Sequence, residues 1–127
     1  MTIHCSDKTI DFSTPRVMGI VNLTPDSFYS GSRFVYESDV LLQVEKMLHD
    51  GADIIDLGGM STRPGAGIIA PGEELERVLL HVGNIVRRFP EAVISIDTIH
   101  AKVADECLHA GAHIINDVTA GTYDAAM

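Results

Sequence analysis

Four short apolar runs each carry, at or near their end, a side chain that can exchange hydrogen bonds. VMGIVN (17–22) ends on Asn22, DIIDL (53–57) carries Asp56, AVISID (92–97) ends on Asp97, and HIIND (113–117) carries Asn116. A carboxylate pairs with a guanidine-like edge through two charge-assisted hydrogen bonds. An Asn amide donates and accepts beside it. Carboxylates and carboxamides gathered without a basic lining therefore suit a ligand rich in N–H donors, and a pterin or guanine ring has such an edge. The competing account is that Asp56 and Asp97 only cap the helices that follow them.

A second chemical segment follows one of these runs. GADIIDLGGMSTRPGAG (51–67) passes from a helix stop through a buried strand into a glycine-rich loop. The loop holds Ser61, Thr62, Arg63 and Pro64, whose hydroxyls and guanidinium can meet an oxyanion or phosphate; a solvated turn is the simpler account. Leu23–Phe34, LTPDSFYSGSRF, is a loop by its Pro, Gly, Ser and Asp content. Its length is that of functional loops. Asn22 and Asp26 can offer oxygen to Mg²⁺, or the segment Thr24-Pro25-Asp26 forms an Asx turn. His109 and His113 are four apart, but Gly111 separates helix from strand, so they form no metal pair. His49 and His81 read as solvated helix positions, and Cys107 as core packing.

The elements that must position these groups alternate between strand and helix. Residues 2–5 and 9–12 form a hairpin around Ser6-Asp7-Lys8, too small to stand alone, so it caps something else. Strands over 17–22, 53–57, 92–97 and 113–117 are separated by helical patterns. Ser38 caps the first helix, which runs to about Asp50 and stops at Gly51. Leu75, Val78, Leu79, Val82, Ile85, Val86 and Phe89 form the stripe of the second. Glu73, Glu74 and Glu76 lie at its positive end and Arg87 and Arg88 at its negative end. Gly83 interrupts that helix without an evident reason. Thr98 caps the third helix, whose inner face is Val103, Cys107 and Leu108. GADIID (51–56) repeats as GAHIIN (111–116), placing Asp56 and Asn116 at equivalent points. In parallel α/β proteins ligands bind at the carboxyl ends of strands, where all four polar residues fall.

Bulk properties narrow the field. The chain has 127 residues, 46% of them hydrophobic, the size and composition of one globular domain. No apolar run approaches the ~20 residues of a membrane span. The first residues resemble no signal peptide. Two distant cysteines suit a reduced, cytoplasmic protein. A net charge of −9 argues against nucleic acid. It also means that a phosphorylated ligand must be held by backbone N–H groups, hydroxyls, a local Arg or a bound cation.

Four motifs now stand together: MGIVNLTPDSF (18–28), DLGGMSTRPGA (56–66), SIDT (95–98) and GAHIINDV (111–118). Together they resemble dihydropteroate synthase, from about residue 2 to the last residue. The resemblance implies a (β/α)₈ TIM barrel, of which this chain, 1–127, is the N-terminal half: about four βα units and a β-hairpin. It implies condensation of p-aminobenzoate with 6-hydroxymethyl-7,8-dihydropterin pyrophosphate, with release of pyrophosphate. Asp97 and Asn116 would then contact the pterin, with Asp56 and Ser61 nearby. Asn22 would help hold Mg²⁺ and pyrophosphate. Thr62, Arg63, Pro64 and Phe28 would lie on two loops that close over the pyrophosphate and shape the p-aminobenzoate pocket, where sulfonamides compete. The resemblance also implies a homodimer for the full-length protein, and a cytoplasmic location is expected.

Met60 departs from the polar or acidic residue common in the family, and Ser30-Gly31-Ser32 from an Asp-Gly-Gly run. A complete barrel needs ~250 residues, and the family's later Asp, Lys and Arg-x-His have no counterpart here. Three other readings stay open. A methyltetrahydrofolate-dependent corrinoid methyltransferase would bind a pterin without pyrophosphate. A flavodoxin-like binding domain would show strand order 2-1-3-4-5. A non-catalytic half-barrel would keep pterin binding or pair with another chain.

Overall fold

The protein is described by a computed structural model covering residues 1–24, 36–61 and 64–127. Its chain opens with a hairpin in which β1 (Thr2–Cys5) pairs antiparallel with β2 (Lys8–Asp11). Then come β3 (Met18–Asn22), α1 (Glu37–His49), β4 (Ile54–Gly58), α2 (Pro71–Arg88), β5 (Val93–Asp97), α3 (Ala101–His109) and β6 (Ile114–Asn116). Strands β3 to β6 form one parallel sheet in chain order. A doubly wound flavodoxin-like sheet would place its second strand outside the first, so that reading is excluded. Consecutive parallel order is the order of a (β/α)₈ barrel, and this chain supplies an arc of one. Three strands are followed by helices. The fourth is followed by turns over 117–127 rather than a helix.

Alternation along the strands gives the sheet two faces. Outward, Val21, Ile55, Leu57, Ile94 and Ile96 are fully buried against Val40 and Val44 of α1, Val78, Val82 and Ile85 of α2, and Val103 and Cys107 of α3. Each such side chain contributes about 1.5–3 kcal/mol. Gly19 lets α1 come close: a Cβ there would lie 2.8 Å from the Met47 sulfur. Inward, Ile10 and Phe12 of the hairpin pack on Ile54, Val93 and Ile114. The hairpin therefore caps the amino-terminal end of the inner face, as its small size requires.

His113 fastens that end. Its main-chain N–H donates to the Ile94 carbonyl at 2.9 Å, and its Nδ1 accepts the Ile94 N–H at 3.1 Å. Nδ1 must then be unprotonated, so Nε2 carries the hydrogen and faces the Asp7 carboxylate at 3.6 Å. Burial holds His113 below its ordinary value of 6.5 against the pull of Asp7. His81 is not a solvated position. It is 6% exposed, because α2 is covered on its flank as well as its stripe, and burial lowers its value too.

The helix starts also differ from expectation. Tyr36 is the N-cap of α1, without a side-chain bond, and Ser38 already lies inside the helix. Thr98 does not cap α3. Its hydroxyl accepts the His100 N–H at 3.1 Å, His100 is the N-cap, and the Ala101 N–H is taken by the Asp124 carboxylate at 2.8 Å. The last segment of the chain thus folds back to cap a helix that the sequence assigns to a local hydroxyl.

Two outcomes follow. Unfolding lets His81 and His113 bind protons more readily than folding does, so their contribution is complete above pH 6.5 and declines as the pH falls below it. Asp97, raised to about 6, works in the opposite sense over part of that range, so the histidine share is read by difference: between pH 7.5 and 5.5 the urea midpoint of His113→Gln should fall less, or rise more, than that of wild type. Gly83 has open space around it, a Cβ meeting only Arg87 Nη1 at 3.6 Å. Gly83→Ala should raise unfolding stability by about 0.5–1 kcal/mol.

Candidate functional site

The parallel register fixes which side chains share the inner face. Asn22, Gly58, Asp97 and Asn116 are paired in one row at the carboxyl edge of the sheet. Two residues deeper, on the same face, run Ile20, Asp56, Ser95 and Ile114. Asn22, Asp97 and Asn116 therefore lie on one rim, with Asn22 about 10 Å from Asp97 across the intervening strand.

The repeat GADIID and GAHIIN is offset by two against this register, since Asn116 lies level with Gly58 and not with Asp56. A barrel of eight strands and shear eight shifts by one residue per strand. Positions two strands apart at one depth therefore differ by two. Asp56 and Asn116 come to the same depth by that rule, and Asn116 Nδ2 reaches Asp56 Oδ2 at 3.4 Å, a weak bond. By the same rule Asn22 lies two residues nearer the mouth than Asp97.

The electrostatics are those of crowded carboxylates. Burial, then Asp56 and Asp117, push the Asp97 carboxyl up to about 6. Asp56 is 2% exposed, and its Oδ1 has no hydrogen-bond partner in the described protein. Ser95 is fully buried and its hydroxyl is equally unpartnered. Unsatisfied buried acceptors cost about 1–3 kcal/mol each, and a ligand presenting N–H donors would relieve that cost. Asp117 is differently placed: the hydroxyl and N–H of Thr119 and the N–H of Gly121 hold its carboxyl below the ordinary range. Neither Asp56 nor Asp97 caps the following helix, so the capping account of both fails.

Gly58 stands beside Asp97 on the inner face. A Cβ on Gly58 would lie 3.5 Å from the Asp97 Cβ and 3.7 Å from its Oδ2. Gly59 is tighter still, its missing Cβ lying 2.7 Å from a Val78 methyl. At the next strand tip, Asn22 Oδ1 accepts the Thr24 N–H at 3.0 Å, an Asx turn over residues 22–24, while the turn expected at Thr24-Pro25-Asp26 lies outside the described residues. A carboxamide oxygen keeps a second lone pair, and Asn22 can still serve as one oxygen ligand of a cation. No group of three His, Cys, Asp or Glu side chains that could hold a metal occurs among the described residues. Ser61 is half-buried and Pro64 exposed, and Gly65 adopts φ +84. Phe28, Thr62, Arg63 and Asp26 lie outside the described residues, as does the run Ser30-Gly31-Ser32.

Sequence reasoning missed Ser95, Asp117, Glu74 and Arg77. Period-two alternation could have found Ser95, two residues before Asp97. Glu74 was read as a helix-dipole charge, yet it is fully buried behind Gly59. Burial raises its carboxyl above the usual range, against Thr98 and His100. No helix among the described residues is long and apolar enough to cross a membrane.

The glycine pair gives a direct test. Gly59→Ala should cost about 1–3 kcal/mol, because α2 must move away from the strand tip. Gly58→Ala, whose Cβ makes only ordinary contacts, should unfold at nearly the wild-type denaturant concentration.

Comparison with known proteins is consistent with this geometry. The family described as "Pterin binding enzyme" matches residues 18–127. Dihydropteroate synthase of Bacillus subtilis is 46% identical over 126 residues, covering 98% of this chain and 44% of that protein. Among solved structures, Yersinia pestis dihydropteroate synthase with a sulfonamide drug is 43% identical with a TM-score of 0.89, covering 99% of this chain and 46% of that one. Xanthomonas albilineans dihydropteroate synthase with 4-aminobenzoic acid is 37% identical with a TM-score of 0.90, covering 98% and 46%. The chain thus spans less than half the length of these relatives. Matched from β3 through its last residue, it belongs to the family of pterin-binding enzymes.

Proposed function

We propose that this chain forms the N-terminal part of a dihydropteroate synthase, a cytoplasmic transferase that acts as a homodimer once its barrel is complete. Residues 1–127 supply the hairpin and the first four strands. The observation that carries the reading is the inner rim, where Asp97 and Asn116 stand with buried Asp56, whose Oδ1 has no hydrogen-bond partner among the described residues.

On this reading the pterin ring lies against β4 to β6. Asp97, ionised, accepts two N–H bonds from the guanidine-like edge of the ring, and Asn116 donates and accepts beside it. The pyrophosphate points toward the mouth, where Asn22 stands. Mg²⁺ would be held there by the Asn22 oxygen with phosphate and water oxygens completing its shell, and would supply charge neutralisation for the leaving group. Thr62 and Arg63 are proposed to donate to the pyrophosphate, while Ser61, Pro64 and Phe28 border the p-aminobenzoate pocket.

The reaction is a displacement at the pterin methylene. The C–O bond to pyrophosphate breaks and its electron pair leaves with the pyrophosphate. The aromatic amine nitrogen bonds to the carbon and then loses a proton. An aromatic amine is a weak nucleophile, so positive charge builds on the methylene and is shared with the ring. The carboxylates of Asp56 and Asp97 favour that charge. An acidic protein thereby handles an anionic substrate: it stabilises the cationic half and leaves the anionic half to local donors.

Binding of 6-hydroxymethylpterin, followed by calorimetry, tests the first step. Affinity should be constant above about pH 7 and fall about tenfold per unit below about pH 6, as Asp97 takes a proton. Asp97→Asn should weaken binding by about 1.5–3 kcal/mol at neutral pH. Absence of binding by the wild-type chain would overturn the proposal. The chain alone should form no pteroate from p-aminobenzoate and the pterin pyrophosphate, and turnover should require the remaining strands of the barrel.

A further inference from the structure

Behind the rim, on the helix side of the sheet, α2 grips the tip of β4. Arg77 Nη1 donates to the Gly59 carbonyl at 2.9 Å, and Nη2 donates to Glu73 Oε1 at 2.8 Å. The Arg77 side chain is largely covered, 24% exposed against 54% for Glu73. Gly59 itself lies against the Val78 methyl and the main chain of Glu74, too close for a Cβ. One residue earlier, the Gly58 carbonyl accepts the Leu23 N–H at 2.7 Å. The Gly58–Gly59 backbone is thus held from β3 and from α2. Its inner side faces Asp97: a Cβ built on Gly58 would lie 3.7 Å from Asp97 Oδ2.

We infer that Arg77, which lies outside the ligand site, is a positioning residue that fixes the Gly58–Gly59 backbone against Asp97 and so sets the shape of the pocket floor. A guanidinium suits the task. Its planar fork spans a carbonyl and a carboxylate at once, which a Lys ammonium cannot do with the same geometry. The tip of β4 has no side chain of its own with which to hold a position. If the grip is released, the backbone can withdraw and water can reach Asp97.

This has a sign that separates positioning from simple charge. Asp97 is raised first by burial, then by Asp56 and Asp117. It also repels Glu74 of α2, on the other side of the sheet. Loss of the Arg77 positive charge would, by Coulomb attraction alone, raise Asp97 further. Loss of positioning hydrates Asp97 and lowers it toward the ordinary 3.8. The two effects oppose each other.

The test is the titration of the Asp97 carboxyl carbon by NMR in the 127-residue chain, assigned by comparison with Asp97→Asn. Arg77→Met should lower the midpoint by about half a unit or more from about 6, and Arg77→Lys should lie between it and wild type. Glu73→Gln, which keeps the bond to Gly59, should leave it in place. Amide exchange at Met60 should quicken in Arg77→Met while the thermal midpoints confirm folding. An unchanged or raised midpoint in folded Arg77→Met and Arg77→Lys would overturn the inference. A second arm rests on the pterin reading: 6-hydroxymethylpterin should bind Arg77→Met about fivefold or more weakly, as expected for a misplaced floor. Wild-type protein that shows the titration shift but binds no pterin would refute that reading and leave the role of Arg77 standing.

Discussion

A strand can aim only every second side chain inward, and four parallel strands in fixed register must agree on which ones. That constraint decides almost everything at this site. The helices claim Val21, Ile55, Leu57, Ile94 and Ile96, so the alternate positions are left for the inner face. Those positions hold Asn22, Asp56, Ser95, Asp97 and Asn116, and a one-residue slip would exchange the two sets. The apolar contacts with α1, α2 and α3 therefore do more than stabilise the sheet. They keep five polar groups on one face of the sheet, which no local preference would do.

Holding them there is costly. Asp56 and Ser95 are enclosed without partners for Asp56 Oδ1 and Ser95 Oγ, and Asp97 is raised to about 6 by burial and like charge. Stability alone would favour apolar residues at these places. Natural chains tolerate such conflicts at functional sites. Asp117 shows the contrast: its three hydrogen bonds lower its carboxyl, and it holds a turn. Two aspartates at adjacent strand tips, Asp97 ending β5 and Asp117 following β6, thus differ in role because Asp117 is satisfied by its own loop.

The fold was legible where periodicity was strong and local. The strands, the α2 stripe, the stop at Gly51 with φ +106 and the close packing at Gly19 follow from residue type and spacing. Strand order became legible only through the motifs, since the strands themselves suited two topologies. What escaped was non-local. Asp124 caps α3 from beyond β6, and a Thr-Ile-His stretch cannot announce that its cap lies elsewhere. His81 looked solvated because a helical wheel does not reveal a neighbouring helix on the flank. Glu74 matched the rule for acidic first turns while being fully buried. At the site, the four strand-end residues were legible from type alone, but their depths required the register. Phe28, Thr62 and Arg63 fall in segments where only the family motif speaks.

The inner face of the sheet is unevenly covered, and the pattern has a direction. Ile54 and Val93 are closed by the hairpin at the amino end, while Ile20 is 67% exposed and Met18 39% exposed on β3. Asp56, in the same row as Ile20, is nevertheless 2% exposed. Polar groups are enclosed toward the middle of the arc and apolar groups are bare toward its β3 edge. A complete soluble domain would bury the large apolar side chains first. The reversal is what an arc of a barrel requires: its concave middle is already shielded by curvature, and its edge residues await strands from across the ring. The same reasoning explains why the site survives in the arc. Asp56, Asp97 and Asn116 depend on β4, β5 and β6 and on the helices behind them, all of which these residues provide, so this polar cluster is supported from within residues 1–127.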